Sequence, residues 1–385
     1  MLLKIYLKEM KDCFRDSRTL ILTVLLPIIM MTGLTFFYEK MVSDDEGKTF
    51  TLAVDQSFSN QEEALFAPYE HIEFVHSENP EESLEEGEAL AALKLSPDFI
   101  QSIENGEEAS VTIIGNSFSQ NSSNLMNILT NALTVYEKSV TTDRLQSQGT
   151  DLSVIQPFTI NQKEMTNEDP NINLIALLIP LILSIAIGVG AGPAASDLFS
   201  GEKERKTMEA LLMTPVSRST LLFSKWLTIA SVGAITGIIT LIVVVLEIGL
   251  FTENLKKAVS FGDNAAIIIS LAIIISIIYA MFTASLLMLT SIIGKTVKES
   301  QSYSSPIMML AVFPTMIISG IGINELGFQH FAIPILNLFS LLKELLFGII
   351  DAEHILLTIA SNLVCIIIFF IIGRILFMKD KWVMN

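Results

Sequence analysis

Two Gly-Lys-Thr triplets, at residues 47–49 and 294–296, are the first features of this sequence that could do chemistry, because such a triplet ends a phosphate-binding P-loop. The complete motif needs a glycine five residues before the second glycine, and this chain has Val42 and Leu289 there. The sequence also lacks a G-x-S-x-G nucleophile elbow, an H-E-x-x-H zinc motif and the signatures of a protein kinase. We therefore predict no catalytic residue in this chain.

The residues that commonly hold metals are sparse and badly spaced. His71 and His76 are five apart beside a predicted strand, a spacing that does not put both on one strand face. Cys13 and Cys365 are the two cysteines, one in a polar leader and one in an apolar run, which makes a disulfide or a thiolate site improbable. The sequence predicts no firm metal site.

Glu247 is the clearest carboxylate inside a long apolar stretch, where a polar group could contact a transported solute. Thr236 and Thr240 precede it at i−11 and i−7, so a helix can present all three on one face. The alternative is that Glu247 lies at the outer interface and pairs with Lys256 or Lys257. Both interpretations stay open at this point.

Gly188, Gly192 and Asn337 are further candidates for a translocation pathway. Glycine and proline in the run 188–193 could free backbone carbonyls that replace the hydration of an ion, and Asn337 offers an amide. Small residues also let helices pack closely, so the glycines fit a structural role equally.

These side chains must be positioned by a strongly apolar chain. Of its 385 residues 51% are hydrophobic and 17% charged, where soluble proteins carry roughly 25% charged residues. Six runs approach or exceed the roughly 20 apolar residues that a helix needs to cross a bilayer, and they predict six transmembrane helices. These are residues 19–38, 171–195, 221–251, 264–293, 305–323 and 355–377.

A seventh apolar stretch, residues 331–349, contains Lys343, Glu344 and Pro334, and we predict a re-entrant or interfacial helix rather than a span. With six spans, 15 of the 24 basic residues share the side of both termini, and the opposite short loops hold three. The positive-inside rule then places the termini, including the tail 378–385, in the cytoplasm. The spans and this orientation predict a multi-pass membrane protein.

Residues 39–170 form a different kind of sequence. They hold 25 acidic and six basic residues, a net charge of −19, and are long enough for a domain. Alternating apolar stretches at residues 50–54, 72–75, 89–95 and 111–114 are separated by helix-favouring segments, which predicts a small α/β domain outside the membrane. The chain offers no basic surface for nucleic acid, so binding to DNA or RNA is not expected.

The loop at residues 196–220 carries the most informative pattern. Ser200 could cap a helix at residues 201–213, with acidic residues in the first turn and Pro215 after its end. An apolar tip and a dense charged base suit a helix that presses into a groove of a partner. An ordinary interfacial connector is the alternative. The candidate docking residues are Glu202, Glu204, Arg205, Met208, Glu209, Leu211 and Leu212.

The string from Gly201 to Leu212, followed by residues 214–218 and Lys225, resembles the cytoplasmic signature of ABC-2 type permeases. The whole layout resembles the sodium-exporting branch of that family: a basic amphipathic "elbow" helix at residues 1–18, a large insert between the first two spans, and four further spans. The resemblance implies that residues 201–213 contain the coupling helix that docks on an ATPase subunit. It also implies two ATPase copies holding ATP and magnesium, a permease homodimer, and sodium as substrate.

Two other functions remain open from the sequence. The same signature occurs in exporters of antibiotics, peptides and lipids, so the substrate class is the less specific part of the resemblance. A function of another class, a membrane receptor or scaffold whose outer domain is a sensor, is compatible with the same layout.

Overall fold

The computed structural model describes residues 1–15, 17–45, 49–69, 71–149, 171–258, 264–310 and 312–383. The chain divides into two compact units. The first unit comprises residues 1–42 and 167–385, and the second comprises residues 43–166.

The first unit is helical. Five of its helical segments are long and apolar enough to cross a membrane: Ile175–Glu204, Arg218–Phe251, Ala265–Ile293, Val297–Ser319 and Ala352–Met378. The first expected span lies on a helix at Ser17–Asp45, several of whose side chains fall outside the described residues. A sixth crossing therefore stays a prediction.

We number the helices of this unit in chain order, leaving α3–α6 for the second unit. They are α1 (Leu2–Arg15), α2 (Ser17–Asp45), α7 (Asn171–Ser196), α8 (Glu202–Glu204), α9 (Thr207–Leu212), α10 (Arg218–Phe251), α11 (Asn254–Ala258), α12 (Ala265–Ile293), α13 (Val297–Met309), α14 (Val312–Ser319), α15 (Phe328–Ala332), α16 (Leu336–Leu346), α17 (Ala352–Met378) and α18 (Asp380–Val383).

Helices α7, α10 and α12 form the centre of the first unit. Ile187 of α7, Ile229 of α10 and Leu287 of α12 are fully buried in one core. By contrast, Ile367 and Ile371 on α17 are about half exposed, as expected for side chains that face lipid. Apolar side chains thus fill the centre of the bundle and also cover part of its outer surface, as expected for helices in a bilayer.

The stretch predicted as one re-entrant or interfacial helix at residues 331–349 contains the end of α15 and the whole of α16, so its helix is shorter than expected, and its placement relative to a membrane stays a prediction. Helix α16 has 11 residues, about 16 Å in length, which is too short for a bilayer core of about 30 Å. All 11 of its residues are buried within this chain. The Lys343 Nζ donates to the carbonyl oxygen of Ile321 at 2.7 Å and to that of Ile318 at 3.3 Å, so the charge has a structural partner.

The second unit contains a four-stranded sheet with the order β2-β1-β3-β4. Strand β1 is parallel to both β2 and β3, and β4 is antiparallel to β3. The strands coincide with the four alternating stretches of the sequence. In chain order the elements are β1 (Phe50–Asp55), α3 (Asn60–Glu63), β2 (Ile72–Ser77), α4 (Pro80–Glu85), β3 (Ala91–Leu95), α5 (Phe99–Asn105), β4 (Val111–Gly115) and α6 (Gln120–Ser147).

Candidate functional site

The docking segment, residues 201–213, is not the continuous helix that its sequence predicts. Helix α7 runs into a π-helical turn at Asp197–Gly201, so Ser200 is buried inside a helix rather than capping one. The Ser200 hydroxyl donates to the carbonyl oxygen of Ser291 at 2.8 Å. The segment then bends at Lys206, whose φ of +58° lies in the left-handed region, before α9 begins.

The bend divides the candidate docking residues into two groups. Glu202 and Met208 are buried within this chain, so neither is available to a partner in this structure. Glu204, Arg205 and Glu209 are exposed. Leu211 and Leu212 are half-buried, and Met213, which the sequence analysis did not select, is 89% exposed. The accessible tip therefore consists of residues 204, 205, 209 and 211–213.

Glu204 and Arg205 have partners inside the chain as well. A Glu204 carboxylate oxygen accepts a hydrogen bond from the backbone N–H of Val297 at 3.0 Å, at the start of α13. Arg205 pairs with Asp197 at 2.7 Å on the exposed side of the π-helical turn. The exposed Glu209 side chain has no hydrogen bond or ion pair among the described residues.

Beneath the tip lies a buried ionic centre that sequence reasoning missed. Lys225 on α10 is fully buried, and its Nζ is 2.7 Å from Glu202 Oε1 and 3.4 Å from Glu9 Oε1. Glu9 belongs to the leader helix α1 and is 1% exposed. This lysine centre therefore ties three separate segments together through one cation. The positions are 216 and 23 residues apart in the sequence, and no local pattern marks them as partners.

A second tie anchors the docking segment to α12. The buried Lys203 donates from Nζ to the carbonyl oxygens of Ile292 and Gly294, the latter at 2.9 Å. These carbonyls end a helix and have no intrahelical donors, so a cation is a favourable partner for them. Residues 200–203 are thus bound to α10 and α12 at the same time.

The leader helix takes part in this arrangement. The Tyr6 hydroxyl is 2.9 Å from Ser231 Oγ on α10. Burial, with smaller contributions from the charges of Glu9 and Asp197, raises the pKa of the Cys13 thiol to about 12. The thiol is therefore protonated at neutral pH and has little nucleophilic or metal-binding character.

Glu247 lies on α10, as predicted, but its partner is not a lysine. The alternative pairing with Lys256 or Lys257 is absent among the described residues. Instead Glu247 Oε1 accepts a hydrogen bond from the Thr32 hydroxyl of α2. Glu247 is 8% exposed, and its Oε2 has no hydrogen-bond partner in the described part of the chain. A buried carboxylate with one free oxygen is costly unless a proton or a cation neutralises it.

Thr236 and Thr240 do not extend this site with free hydroxyls. Each is 1% exposed and donates to the backbone carbonyl four residues earlier, Val232 at 3.0 Å and Thr236 at 2.9 Å. Asn337 is fully buried on α16, where its Nδ2 donates to Ser361 Oγ at 3.0 Å and its Oδ1 has no partner among the described residues. The structure does not bring these three residues and Glu247 to one common contact.

The glycines of α7 lie at close helix contacts. A Cβ at position 190 would come within 2.3 Å of the Thr236 Oγ1 on α10, and one at position 192 within 2.7 Å of the Met308 side chain. Gly188 has the same neighbour at 3.5 Å. This geometry favours the packing role for Gly192, whereas at Gly188 a Cβ would make an ordinary van der Waals contact.

Near the other end of α10, Glu39 caps α11. Its carboxylate accepts from the backbone N–H groups of Glu253, Asn254 and Leu255 at 2.8–3.0 Å. Partial burial alone would raise the pKa of Glu39, but the three donors outweigh burial and hold the pKa below its usual range. The described residues contain no group of three or more His, Cys, Asp or Glu side chains that could hold a metal ion.

In a comparison with known proteins, residues 3–382 match the family described as ABC-2 family transporter protein. The chain is 40% identical over 385 residues to the ABC transporter permease protein NatB of Bacillus subtilis (strain 168), with all of both chains covered. No solved structure matches.

Proposed function

This chain belongs to the ABC-2 family of transporter proteins, and from that premise we propose that it is the membrane half of an ATP-driven exporter of sodium ions. It is a permease subunit homologous to NatB, and this relationship implies an ABC ATPase as partner. Hydrolysis of ATP with magnesium then belongs to that partner chain, present in two copies, while this chain forms a homodimer around the pathway.

The observation that carries the proposal is the accessible tip, residues 204, 205, 209 and 211–213, on a base that is bound inside the chain. The tip exposes Glu209 and Met213 with half-buried Leu211 and Leu212, a small apolar surface with charge at its rim, which suits a groove on another protein. The base is bound to α10 through Lys225 and to α12 through Lys203. Movement of a docked ATPase would therefore reach two central helices together.

Copurification with the ATPase subunit tests the docking. Leu211→Asp places a charge in the apolar part of the tip, and Glu209→Lys reverses a charge that has no partner in the chain, so each should weaken ATPase binding. Glu204→Lys is a less clean test, because Glu204 also caps α13 through Val297. Glu353→Lys, an equally exposed charge reversal at the start of α17, is the matched control. Intact copurification of both tip variants would refute the docking assignment.

The sodium assignment comes from the resemblance to the sodium-exporting branch and is supported by Glu247, whose unpartnered oxygen is suited to a cation or a proton. Inverted membrane vesicles containing this chain and its ATPase should take up radioactive sodium when ATP is supplied. Absence of sodium uptake, together with stimulation of ATPase activity by an amphipathic peptide, antibiotic or lipid, would favour the second candidate. That candidate keeps the same permease role with a larger substrate.

In this arrangement both termini and the docking segment lie in the cytoplasm, and residues 39–170 lie outside the bacterial cytoplasmic membrane. Cysteine-scanning with a membrane-impermeant maleimide tests it. Glu86→Cys in the second unit should react from outside intact cells, whereas Glu209→Cys should react only in inverted vesicles. The opposite pattern would overturn both the orientation and the docking proposal. A receptor or scaffold role predicts the same labelling but no ATP-dependent transport.

A further inference from the structure

The second unit contains a groove with a volume of about 590 Å³, which is within the range of small-molecule sites. It arises because α6 is longer than the sheet on which it packs. Leu125, Leu129 and Ala132, in the first half of α6, are buried against the sheet. The second half continues past it and faces α5 and β4 across the groove.

The floor of the groove is apolar. Phe99 and Ile103 on α5, Val111 and Ile113 on β4, and Val140 on α6 line it. Phe99 is 4% exposed and the other four are half-buried, so apolar surface remains open to a ligand here. An organic molecule with an apolar body would bury this surface on binding.

The rim of the groove carries two carboxylates. Glu107 follows α5 and Glu137 lies on α6. Both line the groove, are exposed, and have no ion pair among the described residues. Arg144 is the basic residue in the lining, and its guanidinium donates to the carbonyl oxygen of Ile103. The surrounding segment 39–170 has a net charge of −19, so the field at the groove favours cations.

We propose that this groove binds a cationic amphiphile, an organic cation whose apolar body lies on Phe99, Ile103 and Val140 and whose charge lies between Glu107 and Glu137. Charge complementarity selects this ligand class over a neutral or anionic molecule of the same shape. Thr130, Thr134 and Thr141 occur on the same face of α6. The hydroxyls of Thr130 and Thr134 donate to the carbonyl oxygens of Met126 and Thr130 at 2.7 Å, so they offer a ligand acceptor oxygens only. The inference concerns the second unit and does not depend on what the first unit transports.

Tetraphenylphosphonium and tetraphenylborate are suitable probes, because they have nearly the same size and shape and opposite charge. The full chain is purified in detergent with Cys13→Ser, Cys365→Ser and Thr134→Cys, which places a single thiol in the groove. The rate of maleimide alkylation at position 134 then reports occupancy. Tetraphenylphosphonium should slow alkylation in a saturable way, and tetraphenylborate should not. A second chain with Glu86→Cys, directly after α4 and outside the groove, should show no protection by either ion.

The carboxylates are tested by Glu107→Gln with Glu137→Gln in the Thr134→Cys chain. Because an exposed ion pair contributes little on its own, loss of the two carboxylate charges should weaken tetraphenylphosphonium binding roughly fivefold. Glu63→Gln with Glu73→Gln, elsewhere on the unit, controls for net charge and should leave the affinity unchanged.

Three results would overturn the proposal. Equal protection by the two ions would show an apolar site without charge selection. Unchanged affinity in the Glu107→Gln and Glu137→Gln variant would show that the carboxylates do not contact the cation. Slow alkylation of position 134 before any probe is added would show that the groove is covered in the full chain.

Discussion

Helix α10 carries two buried ionisable side chains with opposite surroundings. Lys225 and Glu247 are 22 residues apart, about 33 Å along the helix axis. Lys225 has two carboxylates within 3.4 Å, whereas Glu247 has one threonine hydroxyl and an oxygen without a partner among the described residues. Glu202 Oε2 beside Lys225 and Glu247 Oε2 both lack a hydrogen-bond partner among the described residues, but Glu202 has a cation at 2.7 Å and Glu247 has none. We therefore propose a structural role for the lysine centre and a proton or ion site at Glu247. Substitution of either side chain tests this difference in role.

The largest effect is expected for Lys225→Met. The substitution leaves the buried Glu202 without its cation and leaves Glu9 with Lys8 alone, at 3.3 Å, and breaking such a buried pair costs about 3–5 kcal/mol. The free energy of unfolding in mixed micelles, measured by titration with sodium dodecyl sulfate, should fall by that amount. Adding Glu9→Gln and Glu202→Gln removes the unpaired charges and should restore most of the loss. If the triple variant is no more stable than Lys225→Met alone, the pairing is not what holds the three segments.

The next effect concerns transport rather than stability. Glu247→Gln keeps the size of the side chain and an oxygen for Thr32, so the stability of the protein should change little. Sodium uptake by inverted vesicles should fall at least about tenfold, equivalent to about 1.4 kcal/mol. Glu253→Gln, an exposed carboxylate shortly after the same helix, is the matched control. A variant that transports normally would make Glu247 a structural residue like Lys225.

A smaller effect is expected at the contact midway between the two side chains. Gly190→Ala would place a methyl group 2.3 Å from the Thr236 hydroxyl oxygen, so α7 and α10 must separate. Overpacking of this kind costs about 1–3 kcal/mol. The melting temperature should fall. Adding Thr236→Ser to Gly190→Ala removes the Thr236 methyl group and should recover part of the loss. Gly249→Ala is the control, because nothing lies within 4 Å of a Cβ there.

The smallest effect is expected at Glu39, a carboxylate that is fully partnered, unlike Glu247. Glu39→Gln replaces a charged cap by a neutral one and should cost about 1 kcal/mol. Because the folded pKa is lowered, the stabilising effect is complete above the unfolded pKa, near 4.3 for glutamate. It is lost as the pH falls from that value through the folded pKa. The wild type and Glu39→Gln should therefore converge in stability at acidic pH, as measured by thermal unfolding.

The sequence predicted the elements better than their connections. Apolar runs and alternating stretches located five helices of bilayer length and four strands, because hydrophobic periodicity is a local signal. The docking segment was misjudged for a local reason as well. Glu202 and Glu204 are the same residue type two positions apart, and nothing in the sequence shows that the first side chain is buried and the second exposed. The π-helical turn and the left-handed Lys206 are tertiary outcomes that periodicity does not contain.

Long-range pairing explains the remaining differences. The sequence offered Lys256 and Lys257 as partners of Glu247 because they are near in the chain, but the bundle brings Thr32 of α2 to it. The same holds for Glu9 and Lys225, which are joined only when α1 packs on α10. The groove in the second unit depends on the length of α6 relative to the sheet, which is visible only once the strand order is known. Composition indicated its acidity and not its shape.

The bend at Lys206 determines how the tip can respond to force. A non-glycine residue in this conformation has few alternatives, and residues 200–203 before it are held from two sides. The segment is therefore attached to α10 and α12 at two points, and the tip is not free to move independently of these helices. In the proposed complex, a push at Leu211 would reach α10 and α12 together, because residues 200–203 are bound to both helices.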